Sequence, residues 1–325
     1  MLRALVSLGA VAVLALVGGD GRSARAGGTP VALVTAETLN QLIAVELPSG
    51  RVLRRLRMPT DPQNVETGPR YAVVVSPAAG AVTILNVQKL RVRKVLRGFG
   101  SPHIALVLPF PRRELAYVTD DSRGQLDVIQ LREGRVLDRV FVGRGAHHMS
   151  LSPDRRRLWV ALGERARAVA VVDTSHAARP RLLGHLDPHG LAHDVAFDPR
   201  GANVWVTYDD RSAIGIFDAR SGRLLRTLPA GSPPQHVAFD PFSLARQAYV
   251  TSGNDGTLRI VSLKNNRLVR LVRVPYGSFN LGLYGSFVAT SSLYRGTLTD
   301  LVDTGRKVLV KRVAPASRDV AVAVL

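Results

Sequence analysis

HDVAFDPRGANVWVTYDDRSAIGIFDARSGRLLRTL, residues 193 to 228, is four short apolar runs separated by turn-forming residues. HDVAFD (193–198) leads with two polar residues and then alternates small and apolar. VWVTYD (204–209) and IGIFDA (214–219) are β-branched and aromatic, and LLRTL follows the turn Ser221-Gly222-Arg223. Runs of this length and composition, bounded by Pro, Gly, Asp and Ser, are strands joined by tight turns.

The same unit recurs along the chain. Its leading segment appears as QNVETG (63–68), PHIALV (102–107), HHMSLS (147–152), HDVAFD, QHVAFD (235–240), FNLGLY (279–284) and RDVAVA (318–323), spaced by 39 to 46 residues. Second strands follow most of them: LAYVTD (115–120), LWVALG (158–163) and AYVTSG (248–253). Third strands are VTILNV, LDVIQL, VAVVDT and LRIVSL, and fourth strands open after turns such as SGRVLRRL and EGRVLDRV. Four strands per roughly 40 residues, repeated about one axis, make a β-propeller. A second-strand segment, VALVTAET (31–38), comes first and an unpaired leading segment, RDVAVAVL (318–325), comes last. The expected fold is therefore all-β: a seven-bladed propeller of four-stranded antiparallel blades, with the C-terminal strand completing the N-terminal blade (one strand plus three). Closure of this kind leaves no open sheet edge at the seam.

The motifs YVTD, YVTS and WVTY, the third strands ending AVVDT and GIFDA, and the S-G-R turns resemble the YVTN-repeat family of propellers, the YncE-like and surface-layer-like group. The resemblance spans nearly all of residues 27–325. The first turn of each unit departs from the family's S-P-D-G, reading SPDRR at 152 and FDPRG at 197, and blade seven (LYGSFVATSSLYRG) is the most degenerate. The resemblance implies the fold and an association with DNA, but no particular chemistry, because propellers host many activities.

Ahead of the repeats, Arg3 precedes an apolar run from Ala4 to Val17, and Ala24-Arg25-Ala26 forms an A-x-A cleavage site. Residues 1–26 read as a secretory signal, and 27–325 as one exported domain, periplasmic or extracellular and monomeric. No other stretch reaches transmembrane length. The chain has no cysteine, which removes disulfides, thiolate metal sites and cysteine nucleophiles together.

The formal charge is +19, with 44 Lys and Arg against 25 Asp and Glu. Outer-strand segments (51–57, 91–97, 135–144, 179–181, 223–226, 267–273 and 306–312) hold half of those cations and one acid, Asp138. Charge on an outer edge keeps other chains from pairing with it. The alternative is a basic rim, led by Arg51, Arg91, Arg135, Arg223, Arg267 and Arg306, that holds DNA or anionic lipid by salt-sensitive phosphate contacts.

Histidine is placed less evenly. Of eight, His103, His147, His148, His185, His189, His193 and His236 fall in the junctions that open blades three to six; only His176 lies elsewhere. In register, the residues leading the inner strands are Asn64, His103, His148, Asp194, His236, Asn280 and Asp319, an expected ring of polar groups at one channel mouth. Loops on the same face add Asp120, Asp121, Asp209, Asp210 and Asp255. Three uses of the ring are open: hydrogen bonding that any polar residue can supply, a small-ligand or acid–base pocket formed by the ring with His147 and His193, or a metal site. For a metal, His148, His193, Asp194 and His236 are the expected ligands, with His103 or His147 assisting, and neutral imidazole with carboxylate suits zinc, copper or iron. The spacing of His185, His189 and His193 is not itself a metal motif, since Pro188 and Gly190 bar the helix that would align them. No nucleophile elbow, H-E-x-x-H or phosphate loop is present. The expectation is an exported, non-catalytic binding or scaffold protein for a ligand or envelope partner. A metal-dependent oxidase or lyase at the same mouth, or a polyanion binder, stands as the alternative.

Overall fold

A computed structural model describes residues 28–108, 114–239, 246–284, 287–302 and 307–325; the expected leader, 1–26, and Arg306 lie outside the described residues. Among the described residues, twenty-eight strands form seven four-stranded antiparallel sheets, and the one other regular element is a 3-10 turn, Glu37–Leu39. Each inner strand contacts the inner strands of both neighbouring sheets, and the contacts run full circle. The molecule is the seven-bladed propeller that the repeats predict.

The seam is closed as expected. Val320–Val324 pairs with Pro30–Ala36 in register from Val34↔Val320 to Pro30↔Val324. Backbone bonds extend the pairing at both ends, from Thr35 N to Asp319 O (3.0 Å) and from Leu325 N to Thr29 O (2.9 Å).

Second strands are buried on both faces, which is why they are apolar at consecutive positions. In Asn203–Tyr208, Val204, Val206 and Tyr208 pack with Trp159 and Ala161 of blade four. Trp205 faces the other way, against Val237, Ala248 and Val250 of blade six. Strand alternation thus assigns each residue to one neighbouring blade or the other, and the core is a series of inter-blade layers. The G of the turn into the outer strand is required by conformation: Gly50, Gly134 and Gly222 have φ of +72°, +64° and +71°.

The inner strands carry the irregularity that builds the site. Pairing with the second strand slips between Pro102 and Ala105, Ala146 and Met149, Ala192 and Val195, and Ser278 and Leu281. Each slip falls on a leading pair: His103-Ile104, His147-His148, His193-Asp194 and Phe279-Asn280. A slip removes ladder partners and re-aims side chains, so both members of a pair can face the mouth. The threonine of the V-T motif repairs the loss. Thr207 Oγ1 accepts from Asp194 N (2.9 Å) and donates to Gln235 O of the next blade (2.7 Å). Thr119 accepts from Ile104 N (3.0 Å), Thr251 from His236 N (3.2 Å) and Thr35 from Asp319 N (2.9 Å). Thr251 also donates to Phe279 O.

Candidate metal site at the channel mouth

Inner strands start at the mouth, so their leading residues converge there. A cavity of about 320 Å³ is lined by Asn64, His103, His147, His148, His193, His236, Asn280 and Asp319, with Gln63, Glu164, Asp209 and Arg318 among its other walls. Asp194 lines the channel of about 300 Å³ beneath, together with Glu66 and mainly apolar residues.

The polar ring divides by chemistry. Asp319 Oδ2 accepts from Val65 N (2.9 Å) and Asn64 Nδ2 (2.8 Å) of blade two. Asn64 Oδ1 accepts from Ala105 N of blade three (2.8 Å), and Asp194 Oδ2 from Val237 N of blade six (3.0 Å). Asn280 donates to Arg318 O (2.9 Å). These side chains staple one blade to the next. Asp194 Oδ1 is occupied too, accepting from Val195 N (2.8 Å). Asp194, one of the expected metal ligands, has its Oδ2 3.5 Å from His236 Nδ1.

The histidines gather separately. Ligand atoms of His148, His193 and His236 all lie within 4.8 Å of one another, and so do those of His103, His147 and His148. His147 Nδ1 is 2.8 Å from Asp121 Oδ2, and His193 Nδ1 is 3.1 Å from the carbonyl of Glu164. Each partner takes one ring nitrogen and leaves Nε2 free. His148 Nδ1 is buried with no partner. Burial holds His103 and His148 well below the usual histidine range, and adjacent imidazoles push the same way. His193 is lowered to about 3 by burial and then by His236. These rings are neutral, with lone pairs to give. Burial pushes carboxyls up: Asp319 to about 6, and Glu66 in the channel, helped by Asp319, to about 8.

Of the seven histidines read as lying in junctions, two stand away from the mouth. His185 belongs to the outer strand Arg181–Leu186, and its Nε2 is 2.7 Å from Val142 O of blade three. The outer strand runs five residues further than its two arginines suggest. His189 sits in the junction at φ +57° and stacks on Phe217, 6.2 Å between ring centres. Of the loop acids, Asp209 reaches the mouth and Asp121 holds His147. Asp120 is buried against Gly100 N and Ser101 N (2.6 and 2.9 Å), Asp210 pairs with Arg211, and Asp255 accepts from Thr257. The Glu164 carbonyl was not foreseeable, because a backbone atom has no sequence signature; the slips that aim His147 and His193 have none either.

On the opposite face, where the third strand turns into the outer one, Arg51, Arg91, Arg135, Arg223 and Arg267 are exposed. Arg51 and Arg135 are paired with Glu46 and Glu133. Exposed Val92, Val95, Leu268, Val269 and Leu271 lie between the basic residues of the outer strands.

No protein-family model matches the chain, and no curated protein matches it in sequence. In structure it is similar to a functionally unknown protein from Desulfotomaculum acetoxidans DSM 771, with a TM-score of 0.75 and 14% identity over 90% of this chain and 98% of that one. It is similar to AztD from Citrobacter koseri in an apo structure (TM-score 0.70, 12% identity, 91% and 98% covered). Kuenenia stuttgartiensis hydrazine synthase is similar as well (TM-score 0.69, 16% identity, 86% and 91% covered). At these identities the likeness extends to the fold and stops there.

Proposed function

We propose that the protein is an exported, non-catalytic propeller of the YVTN-repeat kind that binds a transition-metal ion at the histidine mouth. The observation that carries this reading is the convergence of His148, His193 and His236 with ligand atoms within 4.8 Å. The surroundings fit such an ion. Burial keeps the His148 and His193 imidazoles neutral, the second ring nitrogen of His193 is held by the Glu164 carbonyl, and a buried His148 nitrogen lacks any partner. Ligating histidines characteristically present one nitrogen to the ion and the other to a carbonyl or carboxylate, which fixes tautomer and orientation. Asp194 plays that part for His236 rather than serving as a ligand. An all-nitrogen donor set without thiolate suits zinc, copper or iron.

The leader at 1–26 supports export, and the threonine and S-G-R positions support the YVTN-repeat likeness. Among the described residues no helix is long and apolar enough to cross a membrane. We read the outer arginines as edge protection.

The test is elemental analysis of residues 27–325, purified without a histidine tag, beside the His148→Ala/His236→Ala variant. Near-stoichiometric zinc, copper or iron, absent from the variant, is the expected result. Binding also raises stability by about 3 kcal/mol at a hundredfold excess over Kd. A protein that carries no metal and takes up none on titration overturns the reading and returns the mouth to a small ligand or to hydrogen bonding alone.

A further inference from the structure

His148 lies at the centre of a chain of five imidazoles. Its ring centre is 5.5 Å from that of His103, 4.6 Å from His147, 4.7 Å from His193 and 4.6 Å from His236. His103 stacks on His147 at 3.5 Å, on one side, and His193 meets His236 at 5.3 Å on the other. Two trios have ligand atoms within reach of a single ion, and they overlap only at His148.

One ion needs about four donors, and open sites commonly use three protein ligands. Five imidazoles are more than one position requires. Each flank also has its own orienting partner: Asp121 behind His147 on one side, the Glu164 carbonyl behind His193 on the other. Neither His103 nor His148 has such a partner, and the Nδ1 of His148 is buried and unbonded, so no hydrogen bond commits the shared ring to either flank.

We propose that the mouth holds two metal positions sharing His148, one completed by His103 and His147 and the other by His193 and His236. Resting on the metal-binding reading, this gives the protein a way to move an ion across its face by exchanging one pair of imidazoles for the other while His148 stays bound. The ligand class is a divalent nitrogen-seeking cation, held one at a time, since the common ligand serves either trio. Such a site suits a protein that takes up and passes on a metal better than one that buries it permanently.

The experiment compares the tag-free protein with His103→Gln/His147→Gln, His193→Gln/His236→Gln and His148→Gln variants, each stripped with chelator and titrated with cobalt(II). Absorption bands report the ligand set, and equilibrium dialysis reports affinity. Expected is one ion for the wild type and one for each double variant, with different spectra and affinity at least ten-fold weaker. His148→Gln should lose binding by a larger factor than either. If one double variant abolishes binding and the other leaves the spectrum unchanged, there is a single position and the proposal falls, though the metal reading stands. A wild type that binds no cobalt, zinc or copper overturns both. Nitrogen-15 spectra of the histidines in the unsubstituted protein guard against misfolded variants. One equivalent of zinc should move the ring signals of both His147 and His193, and movement on one flank only overturns the two-position proposal.

Discussion

Replacing Thr207 by Val removes one buried hydroxyl and leaves shape nearly unchanged. That hydroxyl accepts from Asp194 N at 2.9 Å and donates to Gln235 O at 2.7 Å, in a side chain with no solvent exposure. After substitution a buried N–H and a buried C=O both lack partners, each costing about 1–3 kcal/mol. Partial relaxation leaves an expected loss of about 2–4 kcal/mol. A domain of this size shifts by about 2 °C per kcal/mol, so melting should fall by about 4–8 °C. Thr207→Ser keeps the hydroxyl and should recover most of it. The slip that Thr207 stabilises, between Ala192 and Val195, also aims His193. Metal affinity, measured by competition with a chromogenic chelator, should therefore fall in the Val variant and stay near normal in the Ser variant. A Val variant that melts with the wild type and binds metal equally would refute the claim that this threonine secures the break in the ladder.

Two further outcomes concern charge. Asp300 is buried, neither carboxylate oxygen has a partner, and burial pushes it from 3.8 up to about 6. Its favourable contribution is complete below the unfolded value and is lost as pH rises through about 6. At pH 8 the fold then carries a buried charge costing on the order of 1–3 kcal/mol. Asp300→Asn should raise melting by a few degrees at pH 8 and hardly at all at pH 4; equal effects at both would show that folding leaves this carboxyl's pKa where it is in the unfolded chain. On the outer strand of blade six, Arg270→Val/Arg273→Val should cause self-association visible by light scattering, while reversal to Glu should not. If the Val variant stays monomeric and the wild type instead holds duplex DNA with a steep salt dependence, the arginines are a polyanion surface rather than edge guards.

The repeat was legible because strand periodicity and turn chemistry are local. Alternation in a strand such as VWVTYD is what sets Val204 and Trp205 against opposite blades, and the glycine of S-G-R takes the positive φ that its turn requires. Register then placed six leading residues around one mouth; in blade three Ile104, not His103, holds that register, and His103 lines the mouth from the preceding position, in line with His147 and His193. Their individual roles were not legible, because these depend on which backbone groups the slips leave unpaired. Asp194 reads like a ligand beside His193, and nothing in the sequence shows that its oxygens also accept from the Val195 and Val237 amides. His185 reads as part of a histidine series, but its strand continues past Arg181 and carries it to Val142. Spacing along a chain predicts proximity only where the intervening backbone conformation is known.

The leading position thus does two jobs, and each histidine there gives one up. Asn64, Asp194 and Asp319 accept the amide of the next inner strand: Ala105, Val237 and Val65. His236 occupies the same register and lines the channel with Leu281 of blade seven, and among the described residues no side-chain oxygen accepts the Leu281 amide. A blade interface that forgoes a staple is weaker by about 0.5–1.5 kcal/mol, a sacrifice that folding alone does not explain. Function at the expense of stability is the expected signature of a working site. His236→Asn should supply the missing acceptor, as Asn64 does. In the presence of chelator the variant should melt with the wild type or about 1–2 °C above it, while metal stabilises it less than it stabilises the wild type. Melting several degrees lower in chelator would mean that the imidazole is itself a structural member of the ring, and the division between staples and ligands would fail.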